Sequence, residues 1–357
     1  MKEKILDENF IKIETAEDAT TDWYEVTPGS FDIYGLIEPE ADGVLSRRLP
    51  HKVAQSLNES VIIQSTFGAG GRVLFSTDSA YIALKVEYGD GQVATVNNHC
   101  LAYGFDLYRY EDGKEIYVTV FRPIKFDYKS LEIKQNTYNH GQMTFYTLNL
   151  PCFAAIKRLQ LGLEKGSRIG RGKRYRNDQP VVFYGSSITH GAAASHPGNT
   201  YESFISQRYN LDYRNLGFAG RAKGEQSIAD YMAQLPMCLF VSDYDFNAPD
   251  AEHLKNTHYR LYETIRAKHP DIPYIMISHP VIFKRTEEPC PRRAVIWESY
   301  QRAKAAGDEN VYFIDGEALF DGEHKEACTA DNTHPNDLGF YRMSRVIGDV
   351  IEKALNL

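Results

Sequence analysis

Three residues of this 357-residue chain have the types needed to turn a hydroxyl into a nucleophile: Ser187, Asp331 and His334. A serine hydroxyl attacks poorly near neutral pH unless an imidazole within hydrogen-bond reach takes its proton, and that imidazole needs an acceptor to fix its tautomer. Asp331-Asn332-Thr333-His334 suits the second requirement, because in a turn a carboxylate three residues back can reach Nδ1 while Nε2 faces outward. Each residue also has a plainer account: a serine-rich turn for Ser187, a helix cap for Asp331, a solvated side chain for His334. Together the three suit nucleophilic catalysis such as acyl transfer.

Acyl transfer also needs donors where negative charge develops on the carbonyl oxygen. Asn215-Leu216-Gly217-Phe218-Ala219-Gly220 and Asp243-Tyr244-Asp245-Phe246-Asn247 each follow an expected strand. Gly220 offers a backbone N–H with no side chain in the way, and Asn247 offers a carboxamide. A tight turn and an Asx-turn are the plainer accounts of these two.

The elements that must position these groups alternate from residue 181 onward. Strands are expected at 181–184, 213–216, 237–242, 274–278 and 311–314. Helices are expected near 200–209, 225–235, 251–269, 293–306 and 336–355. Such alternation implies a mostly parallel sheet with helices on both faces, and ligands bind such sheets at the carboxyl ends of the strands. Val181-Val182-Phe183-Tyr184 reads as a buried strand and Gly185 as the turn that leaves Ser187 just past it. Asn199-Thr200-Tyr201-Glu202 has capping-box spacing, which starts the next helix some residues later.

Before residue 165 the pattern has period two. Ile82, Leu84, Val86 and Tyr88 alternate with Ala83, Lys85 and Glu87, Asp112-Gly113 signals a hairpin, and further strands are expected at 143–150 and 156–163. Gly68-Ala69-Gly70-Gly71 lacks phosphate-loop spacing and reads as a turn. Length alone favours two domains. The divisions expected are 1–165, an antiparallel jelly-roll-like sandwich; 166–180, a basic glycine-containing junction; and 181–357, the α/β unit.

Gly185-Ser186-Ser187, Gly220, Asn247 and Asp331-x-x-His334, in this order, resemble the four blocks of the SGNH-hydrolase superfamily, the GDSL-like esterases. The resemblance covers 181 to the end, and the β-rich half is similar to the amino-terminal sandwich of bacterial members, many suspected of deacetylating carbohydrates. It implies a flavodoxin-like five-stranded parallel sheet and a serine esterase acting on short-chain acyl esters through an acyl-enzyme. Ser187, His334 and Asp331 would form the triad, with the amides of Ser187 and Gly220 and the side chain of Asn247 as the oxyanion hole. Ser186 stands where the family has aspartate, and Asp245 where the third block usually has glycine. An α/β-hydrolase would have Gly-x-Ser-x-Gly around its nucleophile, which Ser187 lacks.

No cofactor or metal is implied, and His253 and His258, five apart on an expected helix, do not share a face. A net charge of −8 gives no reason to expect nucleic acid or an anionic membrane as partner. Residues 1–8 contain no apolar leader core, and the five scattered cysteines suit reduced thiols, so a cytoplasmic protein is expected. The partner is expected to be a small-molecule or oligosaccharide ester; the oligomeric state is open. The competing account is a carbohydrate-binding protein with a silent SGNH domain, using Tyr103, Tyr108, Tyr110 and Tyr117 as a sugar platform, although core or surface packing is the plainer account of most of them. Because every candidate catalytic residue follows Val181, the sequence predicts chemistry that does not need the first half.

Overall fold

The computed structural model describes residues 20–93, 96–124, 128–281 and 290–357; the expectation about residues 1–8 lies outside the described residues. Strands β1 (Thr21–Glu25) and β2 (Asp32–Tyr34) precede two short helices, α1 (His51–Gln55) and α2 (Glu59–Gln64). Then come β3 (Arg72–Thr77), β4 (Tyr81–Gly91), the one-turn helix α3 (His99–Ala102), β5 (Phe105–Glu111), β6 (Lys114–Phe121), β7 (Ser130–Asn136), β8 (Thr144–Asn149), β9 (Ala154–Glu164) and β10 (Ile169–Arg171). One antiparallel sheet has the order β1-β9-β4-β7, and the other β10-β3-β8-β5-β6 with β2 also on β3.

Period-two patterning builds this sandwich. Ile82, Leu84, Val86 and Tyr88 of β4 are buried and share one core with Val73 and Phe75 of β3. Between β5 and β6 the two-residue turn has φ 48° at Asp112 and 84° at Gly113, the left-handed pair that a right-twisted hairpin needs. Two features go beyond this pattern. Strand β10 lies within the expected junction, where Ile169, Gly170 and Arg171 pair with Thr77, Ser76 and Phe75. Helices α1 and α2 interrupt a region expected to be nearly all strand; the Asn58 side chain caps α2 by accepting from Val61 N.

The second half runs β11 (Val181–Gly185), α4 (Ser187–His190), α5 (Tyr201–Tyr209), β12 (Tyr213–Gly217), α6 (Gln226–Met232), β13 (Leu239–Asp243), α7 (Ala251–Lys268), β14 (Tyr274–Ile277), α8 (Pro291–Ala305), β15 (Val311–Ile314) and α9 (Asp337–Leu355). The five strands are parallel in the order β12-β11-β13-β14-β15, the flavodoxin-like arrangement expected. Alternate residues of β11 serve the two faces: Val181 and Phe183 pack with Ile205 of α5 and Phe340 of α9, while Val182 and Tyr184 pack with Ile228, Leu254 and Ile296 of α6, α7 and α8. The cap of α5 is Thr200, whose hydroxyl accepts from Ser203 N; Glu202 turns inward toward Asn215 instead of completing a capping box.

The two halves share both cores. The sandwich interior is continuous with the α5/α9 face, and Leu49, Ala54 and Val61 of the first half join the α6–α8 face. Among the described residues, no helix is long and apolar enough to cross a membrane.

Candidate active site

Ser187 opens α4 directly after β11. A Cβ on Gly185 would lie 2.0 Å from Thr189 Oγ1 and 2.5 Å from the Asp243 carbonyl oxygen, so only glycine lets the chain turn this tightly. Ser186 is fully buried; its amide donates to the Asp243 carbonyl (3.0 Å) and its hydroxyl accepts from Ile188 N (3.2 Å). It therefore does the capping work open to an aspartate at that position. Beneath the turn, Thr189 Oγ1 donates to Asp243 Oδ2 at 3.2 Å. Burial, then the nearby Asp245 charge, pushes the Asp243 carboxyl well above its usual range.

Asp331 and His334 occupy the turn before α9. Asp331 Oδ1 accepts from the amides of Thr333 (3.1 Å) and His334 (2.7 Å), and Oδ2 accepts from His334 Nδ1 at 2.8 Å. The Ser187 hydroxyl lies 2.9 Å from His334 Nε2. Partial burial works to raise the Asp331 carboxyl, but the His334 amide and imidazole outweigh it and hold it below its ordinary value, so the acceptor is ionised near neutral pH. With Nδ1 donating to Asp331, Nε2 is left to accept from serine.

Gly220 has φ +70°, a left-handed conformation natural to glycine, and nothing lies within 4 Å of where a Cβ would be. Asn247 ends a 3-10 turn, Asp245–Asn247, and its Nδ2 donates to the Phe218 carbonyl at 3.0 Å. One N–H of that amide remains beyond this bond. Asp245 is buried and tied to His279. Its Oδ2 accepts from the amide (3.1 Å) and Nδ1 (2.6 Å) of His279, joining the segment after β13 to the one after β14. The structure thus joins Ser187, His334 and Asp331 in one hydrogen-bonded row, and places Gly220 and Asn247 on neighbouring segments linked through Phe218.

Four residues absent from the sequence reading organise this edge. Arg48, 1% exposed, reaches from the first half: Nε donates to Phe67 O (2.9 Å), Nη1 to Asn215 O (2.9 Å) and Gly217 O (3.0 Å), and Nη2 to Gln64 O (2.8 Å). Burial pulls its pKa down to about 9. Gln64 Nε2 donates to Ala219 O at 3.1 Å. His190 is held well below its usual value by burial, then by Arg48, so it is neutral. Its Nε2 donates to Cys152 O (2.9 Å) and its Nδ1 accepts from Ala219 N (3.3 Å). Asp106, fully buried, accepts from His196 Nδ1 (2.5 Å), Gly198 N (2.5 Å) and Asn149 Nδ2 (2.6 Å), pinning the segment after the serine turn. The available signals were charges inside apolar runs, Leu45-Ser46-Arg47-Arg48-Leu49 and Phe105-Asp106-Leu107.

Packing accounts for two of the four tyrosines considered as a sugar platform. Tyr103 and Tyr108 are each only 5% exposed, whereas Tyr117 is 50% exposed and stacks on His196 with ring centroids 5.2 Å apart.

A sheet of this order, with the blocks above at its carboxyl edge, is that of an SGNH-type ester hydrolase. The chain belongs to the GDSL-like lipase/acylhydrolase family, whose model matches residues 178–352. A model for the N-terminus of SGNH-hydrolase-type esterases, GxDLY, matches residues 21–169, which include Gly104-Phe105-Asp106-Leu107-Tyr108. The chain is similar in structure to a protein from Bacteroides ovatus assigned to the GDSL-like lipases: TM-score 0.83, 26% identity, 94% of this chain and 98% of that one covered. It shares its fold with the salicylyl-acyltransferase SsfX3 of a tetracycline biosynthetic pathway, at TM-score 0.74 and 19% identity over 94% and 97% of the two chains. It also shares its fold with the acetyl xylan esterase Est2A of the rumen bacterium Butyrivibrio proteoclasticus, at TM-score 0.59 and 12% identity over 94% and 99%. No curated protein matches the sequence.

Proposed function

We propose that this esterase removes short acyl groups, acetyl foremost, from a carbohydrate ester through a Ser187–His334–Asp331 triad. The observation that carries the reading is the row of bonds at the carboxyl edge, 2.8 Å from Asp331 to His334 and 2.9 Å from His334 to Ser187. Ser187 Oγ attacks the ester carbonyl as its proton passes to Nε2, and the C=O pair moves onto oxygen. The amides of Ser187 and Gly220 and the carboxamide of Asn247 hold that oxyanion. Collapse expels the sugar alkoxide, which takes the proton from His334; water, deprotonated by the same nitrogen, then releases acetate.

The acetyl and carbohydrate parts of the reading draw support from the fold shared with an acetyl xylan esterase. We assign 1–165 and 181–357 as the two domains, with 166–180 between them lending β10 to the sandwich edge, and a cytoplasmic site of action, for which the five free thiols are the support. The test is turnover of acetylated sugars against longer-chain esters, with mass-spectrometric mapping of an organophosphonate adduct. A label on any residue other than Ser187 overturns the triad; preference for a long acyl chain overturns the acetyl assignment.

A further inference from the structure

We infer that Arg48 and Gln64, both from the first half, are positioning residues for the oxyanion donors of the second; this rests on the reading of Gly220 and Asn247 given above. The stretch from Asn215, near the end of β12, to Gly220 is held at nearly every residue. Asn215 and Gly217 give their carbonyls to Arg48 Nη1 at 2.9 and 3.0 Å. The Arg48 guanidinium also lies over the Phe218 ring, 5.1 Å from its centroid. Ala219 is gripped on both sides of its backbone, its carbonyl by Gln64 Nε2 at 3.1 Å and its amide by His190 Nδ1 at 3.3 Å. The next residue is Gly220.

The second donor depends on the same segment, because Asn247 is oriented by its bond to Phe218 O at 3.0 Å. A shift of residues 215–219 therefore moves both donors together.

The chemistry of Arg48 fits positioning better than stabilisation alone. A guanidinium presents a rigid fork of five N–H donors, and this one spends them on four backbone carbonyls, at Gln64, Phe67, Asn215 and Gly217. These belong to both halves of the chain, so the fork fixes their separation. Burial lowers the guanidinium to about 9. Keeping such a cation in the interior is costly, and a purely structural role could be filled by an apolar side chain. His190 completes the arrangement as a neutral ring between Arg48 and Ala219, stacked on Phe153 with centroids 4.3 Å apart. With Nε2 committed to Cys152 O, Nδ1 is the nitrogen left to accept from Ala219.

Gln64→Met removes the amide that grips Ala219, together with its local bond to Ser60 Oγ, while keeping side-chain length, and Arg48→Met removes the fork. Both are made in the full chain and compared with wild type for melting temperature, kcat and KM on a chromogenic acetyl ester, with active sites counted by phosphonate titration. Losing a whole oxyanion donor costs roughly 10²–10³ in kcat, so a loosened pair should cost part of that, about tenfold for Gln64→Met and more for Arg48→Met. KM should stay within about twofold, because the donors act on the transition state. Wild-type kcat per titrated site in Gln64→Met, whatever its melting temperature, overturns the inference; if Arg48→Met does not fold, Gln64→Met decides alone. Ser187→Ala run alongside separates the two readings: an active Ser187→Ala sinks the triad, whereas a dead one beside a fully active Gln64→Met sinks only the positioning role.

Discussion

The two turns that meet at the active site are built on opposite plans. The serine turn is interior: Ser186, Thr189 and His190 are fully buried, and its neighbours come from β13, from β12 and from the first half. The Asp331–His334 turn is a surface structure closed on itself. Its bonds run from Thr333 and His334 back to Asp331, from Asn332 N to Thr329 Oγ1 and from Ala330 N to His334 O. The contrast teaches that the nucleophile is held by the whole fold, while the relay is held by five or so residues of local sequence. Changes to the buried residues that hold the first should disturb stability and activity together; changes to the second should disturb activity alone.

The largest effect expected is from Ser187→Ala, which removes the reacting oxygen without opening the interior. It should lower kcat by about 10⁴–10⁶ with a nearly unchanged melting temperature. If Ser186→Ala is the inactive variant instead, the two serines have exchanged roles. Asp331→Asn comes next, at up to about 10⁴ in kcat, because an amide can present its N–H to the ring and leave the wrong tautomer facing Ser187. Its melting temperature should stay close to wild type; a large drop in stability with less than tenfold loss in kcat would make the surface turn structural and erase the contrast. Asn247→Ala should cost roughly 10²–10³ in kcat with a smaller change in KM, and an unchanged kcat would remove Asn247 from the oxyanion hole.

The smallest effect is a difference in pH window. His190 has a folded pKa well below its usual 6.5, so below about pH 6.5 the unfolded chain takes up a proton that the folded chain refuses. Stability should therefore fall with acid, by up to about 1.4 kcal/mol per pH unit from this group. Asp331 is depressed below 3.8, so its contribution persists above that pH and is lost only as the pH falls through the folded value. Denaturant melts at pH 7, 6 and 5 should show a shallower slope for His190→Gln than for wild type. Parallel slopes would mean that the ring is not kept neutral.

Residues that act through local pattern were legible in the sequence, and residues that act across the fold were not. Val181 to Gly185 announces a buried strand and its turn, Asp112-Gly113 announces a hairpin, and Asp331-x-x-His334 carries its own geometry in its spacing. Arg48 bonds to carbonyls 167 and 169 residues away, a relation no period or motif encodes. Glu202 looked like the acid of a capping box because spacing alone cannot tell an outward from an inward side chain, and only the packing of α5 against β12 decides. The departure at Asp245 was visible, but its use was not, because His279 lies on another strand's exit.

The reach of Arg48 has a temporal side. During synthesis the arginine is made 167 residues before Asn215, the first partner it will hold in the second half. At roughly 5–20 residues per second, some 10–30 s pass in which the guanidinium must remain hydrated and the apolar surface around it open. The sandwich strands can pair as they emerge, since their partners all precede residue 172. The site at their border cannot close until β12 has been made. The nascent first half is thus a waiting template, and the last step of its burial coincides with the arrival of the segment that leads to Gly220.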